Sequence, residues 1–577
     1  PAVEICQKMH NENQYDREKL EKAKKEIYRS GFYTGEMNTT CGKYAGMKVE
    51  QAKDKIKEDL IQQKKADIMY EPSGKVVCRC LTPSIVKIVK NQWFIKYGDL
   101  QWKEKAHNAV EKMIFYPDVV RKQFHYVVDW LNDWACTREF GLGTHLPWDE
   151  KWVIESLSDS TIYMAFYTFY HLIREVDPEK LTDDIFDYIL MGKDIADDLA
   201  KKGIPVPILE KARKEFEYWY PFTIRTSGKD LVQNHLTFCI FNHVALFEQE
   251  KWPQGFAVNG WVLMDMQRMS TSRGVSLLLR EALDKYGADV CRITLMYGGE
   301  GVDDSNWDTV FADGIAAKLE AWRTFSKENY NRGRTEKKYI DRWFESVVHT
   351  ALVDVTEAYQ QMNFRTAIQK GFFDLQRYLK WYLRRCDTPH REVITHFIQI
   401  QTLVLTPIVP HFCEEIWEEL GNEAFISQAH WVYPDKEKID ETVLQVEQFV
   451  EDLISDLLEI VKVAHLEKAE KAYIYTAEPW KWEVIDLVRG ERDTGNAMKK
   501  AMQSETVRQH GKEASKFIPK VVKERIFPPK ISEKEVIEEA KDFISQEVGL
   551  TIQVDADYDP QNKRKVAVPG KPGIYIE

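Results

Sequence analysis

WYPFTIRTSGKDLVQNH, residues 219–235, reads as a short β-like run, a Ser–Gly turn and the opening turns of a helix. A strand that hands over directly to a helix is the repeating step of an α/β fold. Free backbone N–H groups at such a helix start favour an anionic or polar ligand group. Asp230, in the first turn, can either accept hydrogen bonds from a ribose or cap the helix. His235 lies five residues further on, about one and a half turns, and need not share the face of Asp230. On spacing alone, a satisfied core histidine is the preferred reading for it.

Working outward, strands and helices alternate with aromatic-rich turns from residue 101 to about 300. Two further stretches in that span carry chemistry-bearing side chains. ESLSDSTIYMAFY (155–167) sets small and hydroxyl-bearing residues beside aromatics, which suits either a pocket wall for a small ligand or a helix start capped by Ser158 or Asp159. QRMSTSRG (267–274) places Ser270, Thr271 and Ser272 between Arg268 and Arg273, a phosphate-friendly turn or a solvated loop. Beyond residue 310 the pattern changes to long amphipathic helices, with apolar residues recurring at i, i+3, i+4 and i+7, which predicts a helical bundle to about 435. The remainder predicts a small α+β domain ending in the strand pair of GKPGIYIE. At the other end, residues 13–66 predict charged helices around a Gly-rich turn, and 67–100 alternate in the manner of strands.

Length and composition agree. The 577 residues, 44% hydrophobic and 30% charged, suffice for three or four cores. The apolar run 397–412 is broken by two prolines and cannot span a bilayer, so no membrane partner is expected. Pro1 is not a start methionine and no signal peptide follows it, so we expect a piece of a longer chain. Nine scattered cysteines fit a reducing, cytoplasmic setting. Cys78 and Cys80 have no second pair at ribbon spacing, so no zinc site is expected and a β-turn is preferred. The net charge of −12 argues against a nucleic-acid-coating protein. One stretch, 498–530, nevertheless carries nine Lys/Arg against three Glu and can face phosphates.

Taken together and in order, these stretches resemble an archaeal/eukaryotic-type leucyl-tRNA synthetase, a class I enzyme, over nearly the whole chain. The resembling segments include DWLNDWACTREFGLGTHLPWDEKWVIESLSDSTIYMAFYTFYHLI, FEYWYPFTIRTSGKDLVQNHL, FRTAIQKGFFDLQ and IQTLVLTPIVPHFCEEIWEELG. The resemblance implies a multi-domain α/β plus all-α chain. Its parts are the tail of an editing insertion (1–66), a small β-rich connective module (67–114), the second half of a Rossmann-like catalytic domain (115–309), a helical anticodon-binding domain (310–435) and a C-terminal α+β tRNA-binding domain (436–577). It implies ATP-dependent activation of leucine, with Mg2+, and transfer to tRNA(Leu). Arg268, Met269, Ser270, Thr271 and Ser272 fall on the loop that binds ATP phosphates, and Gly228, Lys229 and Asp230 on adenosine contacts. Leu157, Ser160, Tyr163 and His235 fall on the leucine pocket. Lys516, Lys520, Lys523, Ile576 and Glu577 become candidate tRNA contacts.

Two departures accompany the resemblance. None of the 14 histidines sits in an HxGH-type signature, so half of the doubly wound sheet is expected from a separate N-terminal subunit or from a longer chain. In the loop, Arg268 stands for a lysine, and Thr271 stands for a second one; losing a charged donor there can cost about 3 kcal/mol. A ligase piece that works with its N-terminal half is the favoured expectation. A non-catalytic paralogue that binds tRNA is the alternative, and a decayed gene product the third.

Overall fold

The computed structural model describes residues 2–11, 13, 15–70, 73–78, 82–85, 87–193, 203–269, 275–466 and 468–577. They fall into two units, Pro1–Asn91 and Gln92–Glu577. In the first, Asp16 caps the helix Arg17–Tyr33, and a second helix spans Val49–Gln62. Asp59 on the second helix accepts from Tyr44 (2.7 Å) and Lys43 (2.5 Å), fixing the turn between them. The strand-like flanks of that turn reduce to a single bridge, Glu36 to Lys48.

Across 67–114, where a β-rich module is expected, the described residues form few strand pairings. Among the described residues, 76–84 make only a hairpin-like contact, with Cys78 N–H donating to Thr82 and Ser84 N–H to Val76; Cys80 lies outside the described residues. The alternating side chains Ile68, Met69, Tyr70, Ile85 and Ile88 are exposed. Alternation stabilises a strand only where a sheet receives one face. Phe94–Ile95 pairs instead with Trp134–Ala135 in the second unit, and Leu100–Lys112 is a helix (α1).

The second unit begins with a three-stranded parallel sheet built from β1 (Ile114–Tyr116), β2 (Arg225–Gly228) and β3 (Gly255–Asn259), with β3 central. Helix α2 (Arg121–Trp130) follows β1, and α3 (Thr237–Leu246) follows β2. TFCIFNHVAL is apolar almost all round because α3 is buried almost all round. Tyr97, Phe115, Phe124, Phe238, Phe241 and Phe256 close the core around it. A second small sheet orders β4 (Val262–Met264) between β5 (Gln267–Arg268) and β6 (Ser305–Trp307).

Helix α4 (Leu279–Gly298), broken at Gly287 where φ is +77°, leads to the bundle. The bundle comprises α5 (Thr309–Asn329), α6 (Tyr339–Gln360), α7 (Leu375–Arg385), α8 (Arg391–Leu405) and α9 (Pro410–Glu419). The expected boundary at 309/310 does not separate two cores. Ala282, Ile293 and Trp307 pack into the same apolar cluster as Trp322, Phe344, Tyr382 and Phe397. Helices as amphipathic as α4 bury their stripe against whatever lies next, and here that is the bundle.

The expected boundary at 435/436 is bridged as well. Helix α10 (Glu441–Val463) reaches both sides. Glu447 on it accepts from Trp381 Nε1 (2.8 Å) and Arg385 Nε (2.7 Å) of α7, while Phe449, Leu453 and Leu457 join the C-terminal core. That domain has the strand order β8 (Thr551–Val554), β7 (Lys471–Tyr475), β9 (Gly573–Ile576), with β8 parallel and β9 antiparallel to β7. Helices α11 (Pro479–Val488), α12 (Thr494–Ala501), α13 (Gly511–Glu524) and α14 (Glu533–Val548) surround it. Among the described residues no helix is long and apolar enough to cross a membrane.

Candidate active site

The carboxyl ends of β1 and β2 open into a cleft of about 450 Å³, lined by Val119, Val120, Gln123, Lys229, Asp230, Gln233, Trp261 and Val302. Crevices at this end of parallel strands are where such sheets bind ligands. Gly228 ends β2. A Cβ there would stand 2.6 Å from Asp230 Oδ1 and push that carboxylate aside. Gly260, between β3 and β4, is tighter still, since a Cβ would meet the Asp303 carbonyl oxygen at 2.0 Å. This approach lets Trp261 N–H donate to Asp304 Oδ1 at 2.9 Å.

Trp261 is the hub of the cleft. Its indole Nε1 donates to Asp230 Oδ1 (3.2 Å), so Asp230 is held by a side chain and does not cap the helix. Lys229 Nζ lies 5.5 Å from the ring centroid and the Arg268 guanidinium 4.4 Å. Lys229 also binds Asp304 (2.6 Å) and the Val302 carbonyl (3.1 Å). The Lys229 hydrogen bond, followed by that from Trp261 N–H, holds the Asp304 carboxyl below its ordinary range. Two cations are thus fixed beside an aromatic face at the mouth of the cleft. The structure brings Lys229, Asp230 and Arg268 around Trp261, and neither Trp261 nor Asp304 was singled out from the sequence. The signal available was NGW after a strand, a glycine turn with an indole at its end.

Arg268 is presented by the β4–β5 hairpin, whose turn residues Asp265 and Met266 both have positive φ (45° and 65°). A left-handed Met costs about 1–2 kcal/mol. Met266 N–H donates to Asn306 Oδ1 (2.7 Å), and Asp265 accepts from Thr309 N–H and Oγ1 (both 3.1 Å), which offsets that cost. Met269 follows, exposed. Ser270, Thr271 and Ser272 lie outside the described residues.

Behind the cleft, His235 sits in a π-wound turn, Val232–Leu236, closed by the Thr237 hydroxyl donating to the Val232 carbonyl (2.6 Å). The wider turn rotates His235 inward, away from Asp230, and π-turns of this kind recur at functional positions. His235 is buried. Its Nδ1 lies 3.0 Å from the Leu157 carbonyl and its Nε2 2.6 Å from Arg225 Nη2. A carbonyl accepts and a guanidinium donates, so the ring is the neutral Nδ1–H tautomer. Burial depresses its pKa against the opposing pull of the Leu157 carbonyl, and the Arg225 charge adds to the depression. Arg225 in turn stands 5.5 Å from the Tyr163 ring. Arg225, not singled out from the sequence, thus meets both His235 and Tyr163, while Leu157 meets His235 through its carbonyl. The Ser160 hydroxyl donates to the Ser156 carbonyl (2.6 Å). Neither Ser158 nor Asp159 caps the 156–159 turn. Ser158 donates to buried Glu155 (3.1 Å), which also holds Trp134 and Arg138.

In the C-terminal domain, Lys516, Lys520 and Lys523 are exposed on α13, opposite the buried Ala514, Ile518 and Val521. Ile576, in β9 beside β7, has its side chain buried in the C-terminal core. Glu577 is exposed and accepts from the Tyr473 hydroxyl (2.9 Å).

The class is set by sequence comparison. The pattern of the class I tRNA synthetases of the I, L, M and V group matches residues 18–308, and that of the anticodon-binding domain of tRNA ligases matches 341–474. The chain belongs to the class I tRNA synthetases. Among individual relatives, it is 42% identical over 596 residues to the leucine--tRNA ligase of Pyrococcus horikoshii and 39% identical over 580 residues to that of Archaeoglobus fulgidus. All of this chain is covered in both alignments, but only 61% and 62% of those relatives, so the chain spans about three-fifths of their length. The anticodon-domain match runs through α10 to residue 474, past the boundary expected at 435, in keeping with the shared packing of that helix.

Proposed function

We propose that this chain is part of a leucine--tRNA ligase that activates leucine with ATP and transfers it to tRNA(Leu) in cytoplasmic translation. The observation that carries this reading is the cleft at the carboxyl end of β2, with its cations and indole, and the neutral histidine a turn further on. Lys229, Arg268 and Trp261 form a cationic, aromatic mouth that suits a nucleotide, and the neutral His235 lies behind it beside Leu157 and Tyr163. An uncharged imidazole can wall an apolar side chain without the repulsion an imidazolium would bring.

In this reading ATP enters as its magnesium complex. Gly228 allows the backbone to approach the adenosine, Asp230 offers its carboxylate to the ribose, and Lys229 balances Asp304 at the cleft. Arg268, with Met269, Ser270, Thr271 and Ser272 beyond it, meets the phosphates. Lys516, Lys520 and Lys523 contact the tRNA backbone. The sequence holds no HxGH signature, so the phosphate-stabilising histidines come from a segment outside this chain. Similarity of about 40% along the whole chain supports a ligase over a paralogue that only binds tRNA. The test is ATP–pyrophosphate exchange by this chain joined to, or mixed with, the segment it lacks relative to the Pyrococcus horikoshii protein. Exchange driven by leucine and not by isoleucine, methionine or valine supports the proposal; preference for any of the other three overturns it.

A further inference from the structure

We propose that His107 and His125 bind a single divalent transition-metal ion between their Nδ1 atoms, with Asp129 and Glu111 orienting the two rings. The residues come as two i, i+4 pairs, His107–Glu111 on or just at the end of α1 and His125–Asp129 on α2. The pairs cross. His107 Nε2 lies 2.9 Å from Asp129 Oδ1, and His125 Nε2 lies 3.0 Å from Glu111 Oε1. The ring planes lie within 18° of each other with centroids 5.0 Å apart and Nδ1 atoms 2.7 Å apart, so the rings meet edge to edge.

Proton counting shows why this arrangement suits a cation. With both rings neutral, one proton sits between the Nδ1 atoms and one remains for the two outer nitrogens. One Nε2 then turns a lone pair toward a carboxylate. The pattern fits His125, whose Nε2 is buried and makes no straight hydrogen bond to Glu111 despite its 3.0 Å separation. A metal ion between the Nδ1 atoms removes the conflict, with the shared proton moving to the Nε2 that lacked one. Both rings stay neutral, both Nε2–H groups donate to carboxylates, and both Nδ1 lone pairs face the metal. Imidazole–carboxylate pairs of this kind fix the tautomer of metal-bound histidines, and two imidazoles suit zinc, copper or nickel.

At metal–nitrogen distances of about 2.0–2.1 Å, an ion on the line between the two nitrogens holds them about 4.1 Å apart, so the rings part by about 1.4 Å from their 2.7 Å approach. Both histidines are partly exposed, which lets water complete the shell. Among the described residues no three His, Cys, Asp or Glu side chains are arranged to hold a metal ion, so this site has two protein ligands and an open remainder.

Copper(II) serves as the probe. One equivalent added to the whole chain should give an EPR spectrum with superhyperfine splitting from two nitrogens, and zinc should compete it away. His107→Gln and His125→Gln should each abolish the two-nitrogen pattern, with helical circular dichroism unchanged. The double variant reports background uptake by the other histidines. Asp129→Asn, which leaves both ligands in place, should weaken binding about tenfold. A two-nitrogen signal that survives in either single variant overturns the proposal. So does failure to take up copper at one equivalent, the result expected if the pair only shares a proton.

Discussion

Glu447→Ala is the substitution through which the bridging role of α10 can be measured. Glu447 is completely buried and its oxygens accept from Arg385 Nε, Arg385 Nη2 and Trp381 Nε1. The Arg385 side chain is 6% exposed, and its other acidic neighbour, Glu539, lies 3.2 Å away at the surface. Removing one member of a buried pair costs about 3–5 kcal/mol, because the other charge stays buried. The indole N–H left without an acceptor costs about 1–3 kcal/mol more. Glu539 and entering water recover part of this, so the expected loss is about 4 kcal/mol. Glu447→Gln keeps an acceptor and should cost about half as much. The double variant Arg385→Met/Glu447→Leu removes both charges and should recover most of the loss. A chain of several packed domains has no single unfolding free energy, so the assay is amide hydrogen exchange along 441–463. Protection there should fall about a thousandfold in Glu447→Ala. A drop below about tenfold, or a double variant no better protected than the single one, would refute the reasoning.

Three further outcomes follow from the same geometry. Trp261→Ala removes two cation–π contacts and the Asp230 hydrogen bond, about 1–2 kcal/mol together; the KM for ATP in the complemented enzyme should rise about 5–30-fold, with Trp261→Phe intermediate. Changing Lys516, Lys520 and Lys523 to Gln should lower the salt slope of tRNA affinity by about 2–3, measured by filter binding across salt concentrations; an unchanged slope would remove α13 from the interface. His243 is buried with its pKa pushed by desolvation from 6.5 to about 4. The unfolded chain therefore binds the extra proton first, and stability is full above about pH 6.5 and falls as pH drops through 4, by about 3 kcal/mol in all. Amide protection along 237–246, corrected for intrinsic exchange and measured from pH 7 to 4, should decline, and His243→Phe should flatten the decline.

The bundle was legible because its helices carry an unbroken 3.6 period, and α3 because a fully apolar helix has to be central. The β2 strand and its glycine turn were legible from local chemistry. The orientation of His235 was not, because spacing assumes α-helical winding and the turn at 232–236 is wound wider. Arg225, Trp261 and Asp304 escaped notice because each acquires its role from residues tens of positions away. The alternation over 67–100 is limited for a related reason: period two states which face would be buried, not whether a partner strand exists. The domain boundaries read from changes of pattern passed over Trp307 and Glu447, whose partners lie on the far side.

The central claim is tested most directly by charging. This chain, combined with the segment it lacks relative to its relatives, should attach leucine to tRNA(Leu), and Lys229→Met should sharply reduce that transfer. A folded, stoichiometric complex that binds tRNA(Leu) yet neither activates nor transfers leucine would contradict the account.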